Sequence, residues 1–200
     1  SVHNRPTDAI WIPTWKWYMV VENGVSKKVR KPKNRLCARG SLDSQGSQLA
    51  TRATTATRLS QRLLVALSLI FDFGWETWDV SGAILKSFQF VEVEKHLRKK
   101  GYTAPKREVS IRPPANAWRH LREICKAGTC EKSLIIAATD AWWKVLLCLK
   151  PMYGLNDAPL AWQLVLQEYV IKKRRATVSV FDDCFYFWPA GPGEIKALAT

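Results

Sequence analysis

The sequence contains no C-x-x-C pair, only three histidines, and no run of ~18 apolar residues. Each absence excludes something. Without such a run no segment reads as a membrane-spanning helix, and the N-terminus lacks the charged-then-apolar order of a secretory signal. The cysteines, at positions 37, 125, 130, 148 and 184, are odd in number. They read as reduced, mostly packed thiols of an intracellular protein, not as a disulfide framework. His120, Cys125 and Cys130 are close in sequence, but their spacing matches no common zinc pattern. Acid is scarce as well, with 17 Asp and Glu against 31 Lys and Arg. There is no internal repeat and no long low-complexity linker. The chain opens without an initiator methionine and stops in an apolar-rich stretch at Ala199-Thr200, so it reads as a piece of a larger protein.

What is present suits one domain with a proper core, or a large part of a bigger one: 200 residues, 47% of them hydrophobic. The formal net charge of +14 favours a polyanionic partner, with nucleic acid first and an acidic membrane surface second. A soluble basic domain with no such partner is the plain alternative. Tryptophan is abundant at ten residues, and several sit beside cations, as in Trp15-Lys16-Trp17, Trp118-Arg119 and Trp143-Lys144.

From Trp15 to Arg30 the pattern predicts a hairpin. Trp15, Trp17, Met19 and Val21 alternate with other residues, Asn23-Gly24 supplies the turn, and Val25 and Val29 continue beyond it. The basic run Lys27 to Arg35 then passes into a strand at Leu36-Cys37-Ala38-Arg39-Gly40. Cations on this hairpin suit phosphates of a template strand or a nucleotide triphosphate, and equally suit a solvated edge strand that lysines protect from aggregation. Residues 41–57 read as loop. Leu59, Leu63, Leu67 and Ile70 share one face of a helix starting near Arg58, capped by a threonine at 54, 55 or 57 and ended by Gly74, with packing as its role.

Trp75 to Leu85 reads as a strand passing into a turn or helix. Within it, Asp79 is a lone carboxylate at the edge of an apolar run. Burying it unpaired is costly, so it is expected to be exposed, hydrogen-bonded or holding a cation. Phe90, Val93 and Leu97 mark a short helix with Arg98-Lys99-Lys100 in its last turn and Gly101 beyond. Val109 and Ile111 suggest a strand stopped by Pro113-Pro114. Asn116 is placed to cap a helix bearing Trp118, Leu121 and Cys125 that ends near Gly128. Trp142 to Lys150 reads as an apolar strand. Pro151 to Leu155 forms a loop to Asp157, an N-cap candidate. The next helix has Pro159 in its first turn, carries Trp162, Val165, Leu166 and Tyr169, and closes on Lys172-Lys173-Arg174-Arg175. Val178, Val180, Phe185 and Phe187 flank Asp182-Asp183.

Four segments, in this order, carry a resemblance. Lys33-Asn34-Arg35-Leu36-Cys37-Ala38-Arg39-Gly40 is similar to K-x-R-L-V-A-[RK]-G. Trp78-Asp79-Val80-Ser81-Gly82-Ala83-Ile84-Leu85 contains a segment similar to D-V-x-x-A-F-L. Arg112-Pro113-Pro114 matches R-P-P, and Tyr153-Gly154-Leu155-Asn156-Asp157-Ala158-Pro159-Leu160-Ala161-Trp162 matches Y-G-L-x-x-A-P-x-x-W. Over residues 11–188 the chain resembles the reverse transcriptase of copia-type long-terminal-repeat retrotransposons.

That resemblance implies an α+β fold: polymerase fingers and palm, an antiparallel sheet backed by helices, with the thumb and ribonuclease H regions lying outside this chain. It implies addition of deoxynucleotides to a DNA primer on an RNA or DNA template by two magnesium or manganese ions. Asp79 matches the first catalytic carboxylate, and the Val80 carbonyl is a further metal oxygen. Lys33 and Arg35 match positions that neutralise the triphosphate. Ile84, Tyr153 and Gly154 fall at the nucleotide, and Lys31, Arg39 and Pro159 at the nucleic acid. Ile84 replaces the bulky aromatic usual in the family, so exclusion of a ribose 2′-hydroxyl is not implied. The family also needs a paired aspartate. Asp182-Asp183, preceded by Val180-Phe181, is one candidate for this pair. Asp183-Cys184-Phe185 more closely resembles a D-x-C-x-F-like strand that precedes it, which places the pair itself beyond Thr200, within the rest of a polyprotein. The fragment alone is then expected to be inactive. A repurposed nucleic-acid-binding remnant and a generic basic α+β domain are the other readings. A cytoplasmic particle and the nucleus are both compatible with the sequence.

Overall fold

A computed structural model describes residues 5–72, 74, 76–126, 128, 145–189 and 195–200. The chain is α+β and divides into two compact units, residues 1–48 with 107–156, and 49–106 with 157–200. Cys130 and Trp142 to Lys144 lie outside the described residues.

The first unit is built on a long ribbon, β1 (Thr7–Glu22) antiparallel to β2 (Val25–Ala38). Asn23 and Gly24 both take positive φ, 52° and 77°, as a two-residue turn matching the strands' twist requires. The predicted hairpin is thus present and longer than its apolar alternation suggested. β3 (Val109–Arg112) joins β1 in parallel, and β4 (Leu146–Cys148) pairs antiparallel with β3. The sheet order is β2-β1-β3-β4, so the sheet is mixed and not wholly antiparallel. Pro113 and Pro114 follow β3, and α3 (Ala115–Lys126) comes next. Asn116 is inside this helix and does not cap it; its side-chain oxygen accepts the indole N–H of Trp11 at 3.0 Å.

The second unit contains α1 (Arg58–Phe71), α2 (Phe90–Lys99), α4 (Ala158–Glu168) and an antiparallel sheet of β5 (Thr177–Val178), β6 (Phe185–Pro189) and β7 (Ile195–Ala199). α2 starts with reciprocal hydrogen bonds between Gln89 and Glu92. It ends with Gly101 at φ 81° while the Tyr102 N–H reaches the Leu97 carbonyl, a left-handed cap. Val93 and Leu97 of α2 pack with Leu160, Ala161 and Leu164 of α4, and Ala104 completes this core. Pro159 occupies the first turn of α4, but the Asp157 side chain makes no capping hydrogen bond. After Glu168 the helix widens into a π turn over Tyr169–Lys173.

Two expectations fail in this unit. Residues 76–80 form no strand; a turn at Ser81-Gly82 leads into a 3-10 turn, Ala83–Lys86. An apolar run alone cannot make a strand there, because the ladder groups of 76–80 meet no partner strand among the described residues. The other failure is α1. Thr57 does cap it, accepting from the Ser60 N–H, but the helix ends at Asp72, with φ 54°, and not at Gly74. Its leucine face is outside, with Leu59 78% and Ile70 72% exposed, whereas Ser60 and Ser68 are buried.

The buried carboxylate of Asp182 explains that orientation. It accepts the Thr57 N–H at 2.8 Å, the Ser60 hydroxyl, and the Cys184 N–H at 2.9 Å. The serine side of α1 therefore turns inward. Burial pushes the Asp182 carboxyl up, but the hydrogen bonds from Ser60, Thr57 and Cys184 outweigh it and hold the group below the ordinary aspartate value. A lowered folded-state pKa gives stability that is present above the unfolded-state pKa of about 3.9 and lost as pH falls through the folded value. Urea unfolding of Asp182→Ala at neutral pH is expected to show a loss of roughly 2–4 kcal/mol, since three donors, those of Ser60 and Cys184 buried, lose their acceptor. Asp182→Asn is expected to flatten the decline of stability below about pH 4. Matching acid profiles for wild type and Asp182→Asn would contradict the assignment.

Candidate nucleotide and nucleic-acid site

The sequence-predicted residues divide between the two units. Lys31, Lys33, Arg35, Arg39, Tyr153 and Gly154 belong to the first; Asp79, Val80, Ile84 and Pro159 belong to the second.

In the first unit, strand alternation puts Lys31, Lys33 and Arg35 on one face of β2. Lys31 is exposed, while Lys33 and Arg35 are half-buried. Lys16 is paired with Lys31, and Lys27 lies on the same face, so the row of cations is longer than the motif alone contains. The Arg35 guanidinium lies 5.6 Å from the ring centroid of Tyr153, a cation–π contact that pins the planar fork. Arg39, past the end of the strand, is exposed and donates its backbone N–H to the Asp8 carbonyl at 2.8 Å.

What brings Tyr153 to Arg35 is a backbone crossing. The Ala38 N–H donates to the Tyr153 carbonyl at 2.7 Å. A Cβ on Gly154 would sit 2.0 Å from the Ala38 oxygen, and one on Gly40 2.1 Å from the Gly154 oxygen. Gly154 also has φ 91°. Both glycines are therefore obligatory, for space at each and for conformation at Gly154. The loop leaving this crossing is held by a buried ion pair: Arg107 donates to both carboxylate oxygens of Asp43 and to the Gln45 side-chain oxygen. Sequence reasoning missed this pair, because 41–57 reads as featureless loop and nothing local links residue 43 to 107. The single glycine of each motif, Gly40 and Gly154, was the available signal for the crossing.

In the second unit Asp79 is exposed, as is Val80, beside Trp78, whose indole N–H donates to Glu76 at 3.1 Å. Ile84 is half-buried in the 3-10 turn, and Pro159 is exposed at the start of α4. Among the described residues no group of three or more His, Cys, Asp or Glu gathers as a metal site. Asp79 supplies one carboxylate, so these residues do not by themselves fit a two-ion centre. Asp182 is spent on Thr57, Ser60 and Cys184. Cys184, fully buried, turns its Sγ to Thr54 and Gln163. This segment is structural.

No family model, no curated protein and no solved structure matches the chain. Also, no helix among the described residues is long and apolar enough to cross a membrane.

Alanine at Gly154 is expected to cost roughly 2–5 kcal/mol, from a left-handed backbone plus overpacking against Ala38. Gly46→Ala, whose Cβ would meet nothing closer than 3.6 Å, is the control and is expected to cost under about 1 kcal/mol. Chemical denaturation of the two variants compares them; equal midpoints would show that the crossing tolerates a side chain.

Proposed function

We propose that this chain is the fingers-and-palm portion of an RNA-directed DNA polymerase of the copia-type retrotransposon class, part of a polyprotein. The observation that supports this best is the Ala38–Tyr153 crossing, with Arg35 over the Tyr153 ring. The two most distinctive motif segments are 113 residues or more apart in sequence, yet they meet through backbone atoms that only glycines permit.

In this reading Lys33 and Arg35 hold the triphosphate of an incoming deoxynucleotide. The reading assigns Tyr153 and Gly154 of the first unit, and separately Ile84 of the second, to the nucleotide, and Lys31, Arg39 and Pro159 to the RNA template and DNA primer. The flat fork of Arg35, already oriented by the ring beneath it, suits bidentate phosphate contact better than a free side chain does. Asp79 and the Val80 carbonyl are the oxygens the reading assigns to magnesium or manganese. They are too few for two ions, and further carboxylates are required for polymerisation. Ile84 is smaller than an aromatic ring, so the reading makes no claim of sugar selectivity.

The test has two arms. In binding, affinity for an RNA–DNA primer–template falls with rising salt, and Lys33→Ala lowers the slope of log affinity against log salt by about 1. A flat response to salt would contradict phosphate contacts. In catalysis, a form lengthened at its C-terminus extends an oligo(dT) primer on a poly(rA) template, and Asp79→Asn lowers that rate by about a hundredfold or more. Equal extension by both proteins would sink the assignment of Asp79. Salt-dependent binding without any extension would instead favour a nucleic-acid-binding protein that does not polymerise.

A further inference from the structure

The two faces of the β1–β2 ribbon are chemically different, and the nucleotide site uses only one. Side chains alternate along a strand. With Lys31, Lys33 and Arg35 on one face, Trp15, Trp17 and Met19 fall on the other, together with Lys28 and Arg30 from β2. Trp15, Trp17 and Met19 are 61%, 60% and 66% exposed. The Lys28 ammonium is 5.2 Å from the Trp17 ring centroid, and the Arg30 guanidinium is 5.2 Å from that of Trp15. From Trp15 outward this face contains no acid; Glu22, at the tip, falls on the opposite one.

Two exposed indoles, each with a cation over it, form a surface of alternating rings and positive charge. Side chains two residues apart on a strand are about 7 Å apart, twice the ~3.4 Å rise between stacked bases of a duplex. A duplex cannot offer its bases to such rings, because they are already stacked on each other. An extended single strand can, and its phosphates then meet the cations that lie against the rings. The absence of acid along this face removes the repulsion that would otherwise discriminate against a polyanion.

We propose that the Trp15–Trp17 face of the ribbon binds single-stranded nucleic acid, taking bases on the two indoles and phosphates on Lys28 and Arg30. The site is separate from the Arg35–Tyr153 face and holds whether or not the chain polymerises. Stacking does not read the 2′-hydroxyl, so RNA and DNA strands are both ligands.

Fluorescence anisotropy with labelled dT12, rU12, a 12-base-pair duplex and an abasic strand of equal charge tests this on the full chain. The expected result is similar binding of dT12 and rU12, and at least tenfold weaker binding of the abasic strand. Trp15→Ala with Trp17→Ala is expected to weaken dT12 binding by roughly ten- to a hundredfold, whereas Trp15→Phe with Trp17→Phe retains most of it. Both pairs change exposed side chains, and an unchanged far-UV circular dichroism spectrum confirms that they fold. Lys28→Ala with Arg30→Ala should lower the salt slope by about 1.4. Equal affinity for the abasic strand and dT12, or full binding by the alanine pair, overturns the proposal. So does a concentration-dependent dimer in sedimentation that the alanine pair abolishes while oligonucleotide affinity stays the same, which would assign the face to a second copy of the chain.

Discussion

Where β2 ends, its backbone passes the turn at Tyr153-Gly154 more closely than any side chain permits. A Cβ at Gly154 or Gly40 would meet a carbonyl oxygen at 2.0 or 2.1 Å. Much in the first unit follows from that one steric limit. The 2.7 Å bond from Ala38 to Tyr153 fixes the strand end and the turn together, which sets the phenol ring under Arg35. It also fixes where the loop after Gly40 begins. That loop carries the Asp43 carboxylate into the interior, and Arg107 answers it with two hydrogen bonds. Removing one partner of such a buried pair costs about 3–5 kcal/mol, chiefly because the other charge is stranded. The crossing and the pair act in sequence: the first aims the loop, the second holds it.

The second unit solves a comparable problem with a different group. Asp182 collects donors from the start of α1 and from its own turn before β6, so a carboxylate orients a helix whose leucines would have chosen the opposite face. Two directed hydrogen bonds at the start of the helix outweigh a hydrophobic stripe left largely uncovered among the described residues. The cost is visible in Leu59, Leu69 and Ile70, all more than 70% exposed.

Elements that carry their own start and stop signals were legible in the sequence. Asn23-Gly24, Gly101, Pro113-Pro114 and Pro159 each act within a few residues, and the ribbon, α2, β3 and α4 stand where those signals put them. What failed needed a distant partner. The stretch before Ala83 has residues a strand can use, but those residues do not supply a ladder partner. Asn116 has the chemistry of a cap and is used instead by Trp11, 105 residues away. The site shows the same division. The cations of β2 and their shared face follow from period two, whereas the Arg35–Tyr153 contact and the glycine crossing depend on where separate segments meet.

The ribbon's exposure bears on what it can be for. Beyond Thr14 nearly every residue on either strand is exposed, so burial adds little to hold this part together. Cross-strand contacts remain, chiefly Trp17 with Lys28 and Trp15 with Arg30. At exposed sites such pairs contribute about 0.5–1 kcal/mol each, comparable with other cross-strand pairs. Threonine or valine would stabilise an edge at similar strength without leaving indole in water. Lysine and arginine also keep the ribbon from pairing with another sheet, since desolvating them against a second edge is costly. Stability therefore accounts for the cations but not for the tryptophans. A ligand with flat, apolar faces and negative charge between them accounts for both, and a single strand of nucleic acid has that composition.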